Sequence, residues 1–302
     1  MIKNGCGGLG FRVAAKDSPE VASLERLRDA HRWTALSSRR HEIDVARVAG
    51  LLEANGVTAL IGKGFAVARH YPGPGLRPYG DIDVYVPHSQ AGAAAAALAL
   101  ASEISVDLHD GYADLDDREP GELRRRSVVV DVLGTPAHLF GTEDHLRLIC
   151  IHAARHGALR ALWLCDIALL LESLPPTFDW AYFSLGDPDR TETALGILGL
   201  ARALLGARLE LGAVNPARLD PPARLIGAVL SEWGRKRTPH GARRPWRAEM
   251  MKPWRWPGAA RLRWPNALEA ACETRTPLSR AGSVTVQLAA CVRRIKRQAG
   301  SA

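Results

Sequence analysis

The chain has 302 residues, 47% of them hydrophobic and 24% charged, with a formal net charge of +8. That length and apolar content suit one large domain or two modest ones with ordinary cores, and exclude a disordered or low-complexity chain. The five cysteines are odd in number and scattered. This argues against a disulfide framework or zinc cluster and for a reduced, cytoplasmic protein. The opening Met1-Ile-Lys-Asn-Gly-Cys-Gly-Gly8 lacks the apolar stretch of a signal peptide. The longest apolar run, Ala91 to Ala101, falls short of the ~20 residues that span a bilayer, so neither secretion nor a transmembrane segment is expected.

Residues 1–22 are Gly-rich and read as an N-terminal extension. From Ser23 to Asn55, Leu24, Leu27, Ala30 and Trp33, then Ile43, Val45, Val48 and Leu51, recur at helical spacing and predict a helix packed beside a sheet. Gly56-Val-Thr-Ala-Leu-Ile61 reads as a turn and a buried strand. Gly62-Lys63-Gly64 then opens a helix. Its glycines let the backbone approach a ligand closely, and a phosphate there would meet free N–H groups and the Lys63 ammonium, although the spacing of a P-loop is absent. Tyr71-Pro-Gly-Pro-Gly-Leu-Arg77 is a loop from which Arg77 can reach towards phosphate.

Asp81-Ile-Asp-Val-Tyr-Val86 is a predicted strand. Its period of two points Asp81 and Asp83 one way while Ile82 and Val84 face the apolar side. Two carboxylates this close repel, and a divalent cation between them relieves the repulsion. Oxygen ligands favour Mg²⁺ or Mn²⁺ over zinc. After an Ala-rich helix, about Ser89 to Ala101, the strand Ile104 to His109 sets Ser105, Asp107 and His109 on one face. Asp114 to Arg126 reads as an exposed loop, and Ser127 to Leu133 as a strand that carries Asp131. Asp107 and Asp131 therefore compete as a third acidic ligand. From Thr142, read as an N-cap with Glu143 and Asp144 in the first turn, the pattern becomes helical.

These motifs resemble the uncharacterised nucleotidyltransferases of the DNA polymerase β-like superfamily. Their order is Leu-Lys-Gly, a small-residue helix, Tyr-Pro, an Arg, Asp-Ile-Asp, a Glu-Leu-His strand, Leu-Cys-x-His-x-x-x-His and a Trp-Leu-x-Asp helix. The chain offers Ile61-Gly-Lys-Gly64, Tyr71-Pro72, Arg77, Asp81-Ile-Asp83, Asp107-Leu-His109, Leu148-Ile-Cys-Ile-His152-Ala-Ala-Arg-His156 and Trp163-Leu-Cys-Asp166 over residues 45 to 210. The resemblance implies a polymerase β-like α/β (α+β) core with a mixed sheet, followed by an α-helical C-terminal domain. It implies an ATP- or other NTP-binding transferase that moves NMP to an acceptor hydroxyl with release of pyrophosphate, using two Mg²⁺ or Mn²⁺ ions. The implied metal ligands are Asp81, Asp83 and Asp107, and Gly62, Lys63, Gly64, Arg77 and His109 line the nucleotide. Asp107 is favoured over Asp131 because His109 accompanies it. The acceptor implied is a small molecule, sugar or peptide.

His152 and His156 share a helix face, but no third soft ligand follows, so they read as residues facing neighbours or the nucleotide rather than zinc. Asp166, in an otherwise apolar helix, requires a partner, with His152, His156 and Arg160 in reach. Further helices are predicted near Glu192 to Leu205, Pro222 to Trp233 and Val284 to Gln298, the last with an apolar stripe and a basic end. Trp233 to Ala302 holds 16 Lys and Arg against 3 Asp and Glu, a surplus of 13, so the preceding residues carry a net −5. Arg243-Arg-Pro-Trp-Arg247 and Lys252-Pro-Trp-Arg-Trp-Pro257 interleave cations with indoles. Such a tail can fold back as an arm, bind nucleic acid or lie on an anionic membrane. The expected organisation is an extension (1–22), a catalytic domain (23–140), a helical domain (141–233) and a basic arm with a terminal helix (234–302). An RNA- or tRNA-directed transferase recruited by the tail, and a non-catalytic nucleotide-binding or protein-interaction module, are the alternatives.

Overall fold

The structure, a computed structural model, describes residues 7–17, 24–209, 219–234 and 264–300. It opens with helices α1 (Gly7–Asp17) and α2 (Leu24–Ala54) packed on each other. There follow strand β1 (Leu60–Ile61), helix α3 (Lys63–Ala68), β2 (Ile82–Val86), α4 (Ala91–Leu98), β3 (Val106–Asp110), α5 (Pro120–Arg125), β4 (Val128–Val132) and β5 (Thr135–Leu139). Among the described residues the strands form one mixed sheet in the order β3-β2-β1-β5-β4, with β2 parallel to β3 and β1 parallel to β5. The β4–β5 hairpin closes on Leu133 and Gly134, both at positive φ (55° and 84°), as a two-residue turn requires.

The sheet separates two apolar layers. Ile82, Val84 and Val86 of β2 enter a core with Val45, Val48 and Leu52 of α2 and Ala94 and Ala97 of α4. On the other face Leu60, Tyr85 and Phe140 meet Leu148. Leu148 belongs to α6 (Thr142–Arg155), which begins the helical half with α7 (Ala161–Glu172), α8 (Trp180–Phe183), α9 (Pro188–Leu205) and α10 (Ala223–Gly234). Helices α11 (Ala267–Thr274) and α12 (Val284–Gly300) follow. Leu225 and Val229 of α10 and Leu268 and Ala271 of α11 share one core with α6, α7 and α9, so part of the predicted arm belongs to the helical half. The Arg- and Trp-rich segments at 243–247 and 252–257 lie outside the described residues. Val284, Leu288, Val292 and Ile295 of α12 stay exposed.

Asn266 caps α11 through a capping box with Glu269 and also donates to the Gly157 carbonyl at 2.8 Å. Trp233 Nε1 donates to the neighbouring Ala158 carbonyl at 2.8 Å. Gly157 and Ala158 are consecutive left-handed residues (φ 64° and 49°), and a side chain at 157 would run into Asn266. The turn between α6 and α7 is therefore gripped from the C-terminal end of the chain.

Four sequence expectations need correction. The N-terminal extension contains α1, whose Gly7, Gly8 and Gly10 are buried; a Cβ at Gly8 would strike the Gly75 carbonyl, so close tertiary approach outweighs low helix propensity. The expected stripe of α2 is buried at Leu27, Val45 and Val48, but Trp33 is 73% exposed and Ile43 lies outside, and Leu52 joins the core. The predicted 114–126 loop holds α5, which starts at Pro120, carries Glu122 in its first turn and Arg124 and Arg125 in its last, and buries Leu123. The N-cap of α6 is Gly141 rather than Thr142.

Candidate active site

The parallel pairing of β2 with β3 sets Asp83 opposite Asp107 and Tyr85 opposite His109. Because Ile82, Val84 and Val86 occupy the core under α2 and α4, strand alternation turns Asp83 and Tyr85 to the α6 side. His109 stacks on Tyr85, ring centroids 4.1 Å apart and 10° from coplanar. Asp83, Asp107 and His109 offer ligand atoms all within 4.8 Å of one another. Asp81 differs from the expectation: β2 starts at Ile82, so Asp81 sits exposed in the bend before it, on the same cavity but outside that group. Asp131 lies on β4 at the opposite edge of the sheet, exposed, accepting from the Gly134 N–H at 3.2 Å. Asp107, not Asp131, is thus the acid brought to Asp83.

Lys63 starts α3 at positive φ (45°) and is 8% exposed. Its ammonium donates to Asp83 Oδ1 at 2.8 Å, lies 3.1 Å from His109 Nε2 and sits 5.4 Å from the centre of the Tyr85 ring. Burial works to raise the pKa of the Asp83 carboxyl, but the His109 hydrogen bond and the Lys63 charge outweigh it and hold the group below the usual carboxylate range. Gly62 donates its N–H to the Asp83 carbonyl at 3.1 Å, tying the α3 start to β2. At Gly64 a Cβ would meet Tyr79 Cβ at 2.9 Å and Arg77 Nη1 at 3.0 Å, so this glycine admits the Arg77 loop.

That loop presents the next surprise. Arg77 is buried, with Nη2 2.8 Å from Asp166 Oδ2 and Nε 3.2 Å from Oδ1, and its Nη1 donates to the Pro78 carbonyl at 3.1 Å. Tyr71 donates its hydroxyl to Asp166 Oδ1 at 2.8 Å. Asp166 finds its partners in Arg77 and Tyr71, far along the chain, rather than in His152, His156 or Arg160. Burial alone would ease the Arg77 proton off, but Asp166 more than compensates and raises its pKa.

Both pairs face one cavity of about 790 Å³, lined also by Asp81, Asp107, His152, His156, Arg160 and Trp163. His152 and His156 tilt against each other and against Trp163 at centroid separations of 4.6 to 5.6 Å. Burial, then the Lys63 charge, lowers the His152 pKa to about 2, which keeps this imidazole neutral. The Arg160 guanidinium lies 5.4 Å from the Trp163 ring at the exposed mouth. Lys63, Arg77 and Arg160 against Asp81, Asp83, Asp107 and Asp166 leave the lining at net −1. Arg160, read from the sequence only as a candidate partner of Asp166, and Trp163, read only as part of a helix motif, both line the cavity.

Among the described residues no helix is long and apolar enough to cross a membrane. No curated protein matches the chain. A solved structure, an antigenic nucleotidyltransferase-like protein from Paracoccidioides brasiliensis, is similar at 17% identity over 57% of this chain and 95% of that one, with a TM-score of 0.42. The model of a family described as uncharacterised nucleotidyltransferase matches residues 12–102 and 99–206, which hold β2, β3, the Arg77 loop and α6 to α9. The chain belongs to that nucleotidyltransferase family.

Proposed function

We propose that this chain is a metal-dependent nucleotidyltransferase that moves NMP from an NTP to the hydroxyl of a small molecule, sugar or peptide. The convergence of Asp83, Asp107 and His109 within 4.8 Å, beside Lys63 at the floor of a large cavity, carries the reading. The two carboxylates suit Mg²⁺ or Mn²⁺, and the imidazole beside them is a better ligand for Mn²⁺ than for Mg²⁺. The net −1 lining points the same way, since a polyanionic triphosphate enters such a cavity only with added positive charge. Asp83 and Asp107, joined by Asp81 at the rim and His109, would hold the ions. Bound there, they would neutralise charge developing on the α-phosphate and on the departing pyrophosphate.

The chain's own residues supply positioning and proton transfer. The acceptor oxygen forms a bond to the α-phosphorus as the bond from that phosphorus to the pyrophosphate oxygen breaks. Asp107, whose side chain is 53% exposed, takes the hydroxyl proton. Lys63 and Arg160 meet the triphosphate, while the neutral His152, His156 and Trp163 flank the nucleoside. Arg77, first read as a phosphate ligand, serves as scaffold, because the Nε/Nη2 edge of its guanidinium is held by the buried Asp166 and its Nη1 by the Pro78 carbonyl. The catalytic half is assigned to 23–140, in a polymerase β-like arrangement, and the helical half from 141 onward closes the cavity.

The test is calorimetric titration with a non-hydrolysable α,β-methylene NTP, with and without Mn²⁺. Binding that requires Mn²⁺ and disappears in Asp83→Asn is expected. Absence of nucleotide binding in both conditions would overturn the reading.

A further inference from the structure

Lys63 stands where a cation held by this site would stand. Its ammonium touches Asp83 Oδ1 at 2.8 Å and approaches His109 Nε2 at 3.1 Å, and both atoms belong to residues of the three-membered ligand group. A divalent ion drawing on Asp83 and His109 needs the same space and the same lone pairs. Two cations that close repel, with only two or three acidic oxygens between them. The ammonium and the ion are alternatives.

The placement of Lys63 is enforced by the fold. A non-glycine residue at φ 45° is uncommon and is retained only where its surroundings hold it. Here the hold is the Ile61–Val84 pairing, the Gly62 N–H on the Asp83 carbonyl and a floor made by the Tyr85 ring. The backbone is fixed, but the four-carbon stem is not, so the ammonium is free to turn from the carboxylate to a phosphate without any shift of α3.

We propose that Lys63 is a built-in substitute for the divalent ion. It neutralises Asp83 in the metal-free protein, is displaced when the ion enters, and then docks on the incoming triphosphate. This rests on the functional reading above and adds a consequence to it: metal and nucleotide binding are coupled. The ion alone binds weakly because it must displace an ammonium from a buried carboxylate. The nucleotide offers that ammonium a new partner, so each ligand strengthens the other by the same factor.

The experiment measures Mn²⁺ binding by electron paramagnetic resonance in the wild type, Lys63→Met, Lys63→Gly and Asp83→Asn, without nucleotide and with α,β-methylene NTP. Lys63→Gly suits the left-handed backbone and guards against misfolding in the other variant. Without nucleotide, Lys63→Met and Lys63→Gly are expected to bind Mn²⁺ about tenfold or more tightly than the wild type, roughly the effect of removing one competing charge. The enhancement of Mn²⁺ affinity by nucleotide is expected to be smaller in both than in the wild type, what remains being the direct attraction of phosphate for the ion. Mn²⁺ binding that depends on Asp83 but is equal or weaker in the Lys63 variants overturns this proposal and leaves the functional reading standing. No Mn²⁺ binding by any variant overturns both.

Discussion

Two cation–carboxylate pairs face the same cavity and are buried to nearly the same degree, Lys63–Asp83 at 10% and 9% side-chain exposure and Arg77–Asp166 at 9% and 4%. They differ in what their atoms have left to give. Asp166 receives two guanidinium N–H groups on separate oxygens and the Tyr71 hydroxyl, and a third Arg77 N–H goes to the Pro78 carbonyl. That planar, two-pronged fork ties the 71–80 loop to α7. Asp83 shares its oxygen between a flexible ammonium and an imidazole, with a second carboxylate alongside. Burial does not distinguish scaffold from chemistry here; unspent bonding capacity does.

The sharpest way to break this contrast is to neutralise one acid on each side. Asp83→Asn and Asp107→Asn are expected to lower metal-dependent pyrophosphate release by about 10³-fold or more, with the melting transition nearly unchanged in Asp107→Asn and lowered less in Asp83→Asn than at Asp166, because the flexible Lys63 stem can turn its ammonium to the cavity. Asp166→Asn should do the converse, destabilising the fold by about 3–5 kcal/mol in a denaturant titration, because it leaves the buried Arg77 charge uncompensated. If Asp166→Asn melts normally and only activity falls, the two pairs are not different in kind.

A smaller effect comes from His145, buried on the scaffold side with a pKa lowered to about 3, first by burial and then by the charges of His70 and Arg77. Below pH 6.5 the unfolded chain takes up a proton that the folded protein refuses, so this stability is complete above pH 6.5 and is lost as the pH falls. Relative to the wild type, His145→Gln should flatten the loss of stability between pH 8 and pH 5 by about 2 kcal/mol. The least effect belongs to Asp131→Asn, expected within about 0.5 kcal/mol of the wild type and with unchanged turnover, since Asp131 is exposed at the far edge of the sheet.

Much of the half that carries the sheet was legible because its signals are local. Alternation at Ile82 and Val84 identified the apolar face of β2, and the same rule put Asp107 with His109 on one face of β3. What escaped was set by distant packing. The Gly-rich start gave no helix signal, because the use of Gly8 lies in its fit against the 75–76 backbone. The exposed Trp33 looked like core because periodicity reports a stripe but not which part of a long helix has anything to cover it. Asp166 was seen to need a partner, yet Arg77 is 89 positions away and no spacing rule connects them. Lys63 was read as a phosphate ligand from its glycines, whereas its contact with Asp83 depends on how β1 pairs with β2.

The grip of Asn266 and Trp233 on the Gly157–Ala158 turn has a practical meaning for anyone trimming this chain. A fragment ending at residue 206, where the family match stops, would keep every proposed ligand of the ions. It would lose the two clamps that hold two adjacent left-handed residues between His156 and Trp163. Minimal versions built on the recognisable core alone should therefore retain their acids and still have a slack wall, so the far helices are better regarded as part of the mould than as an appendage.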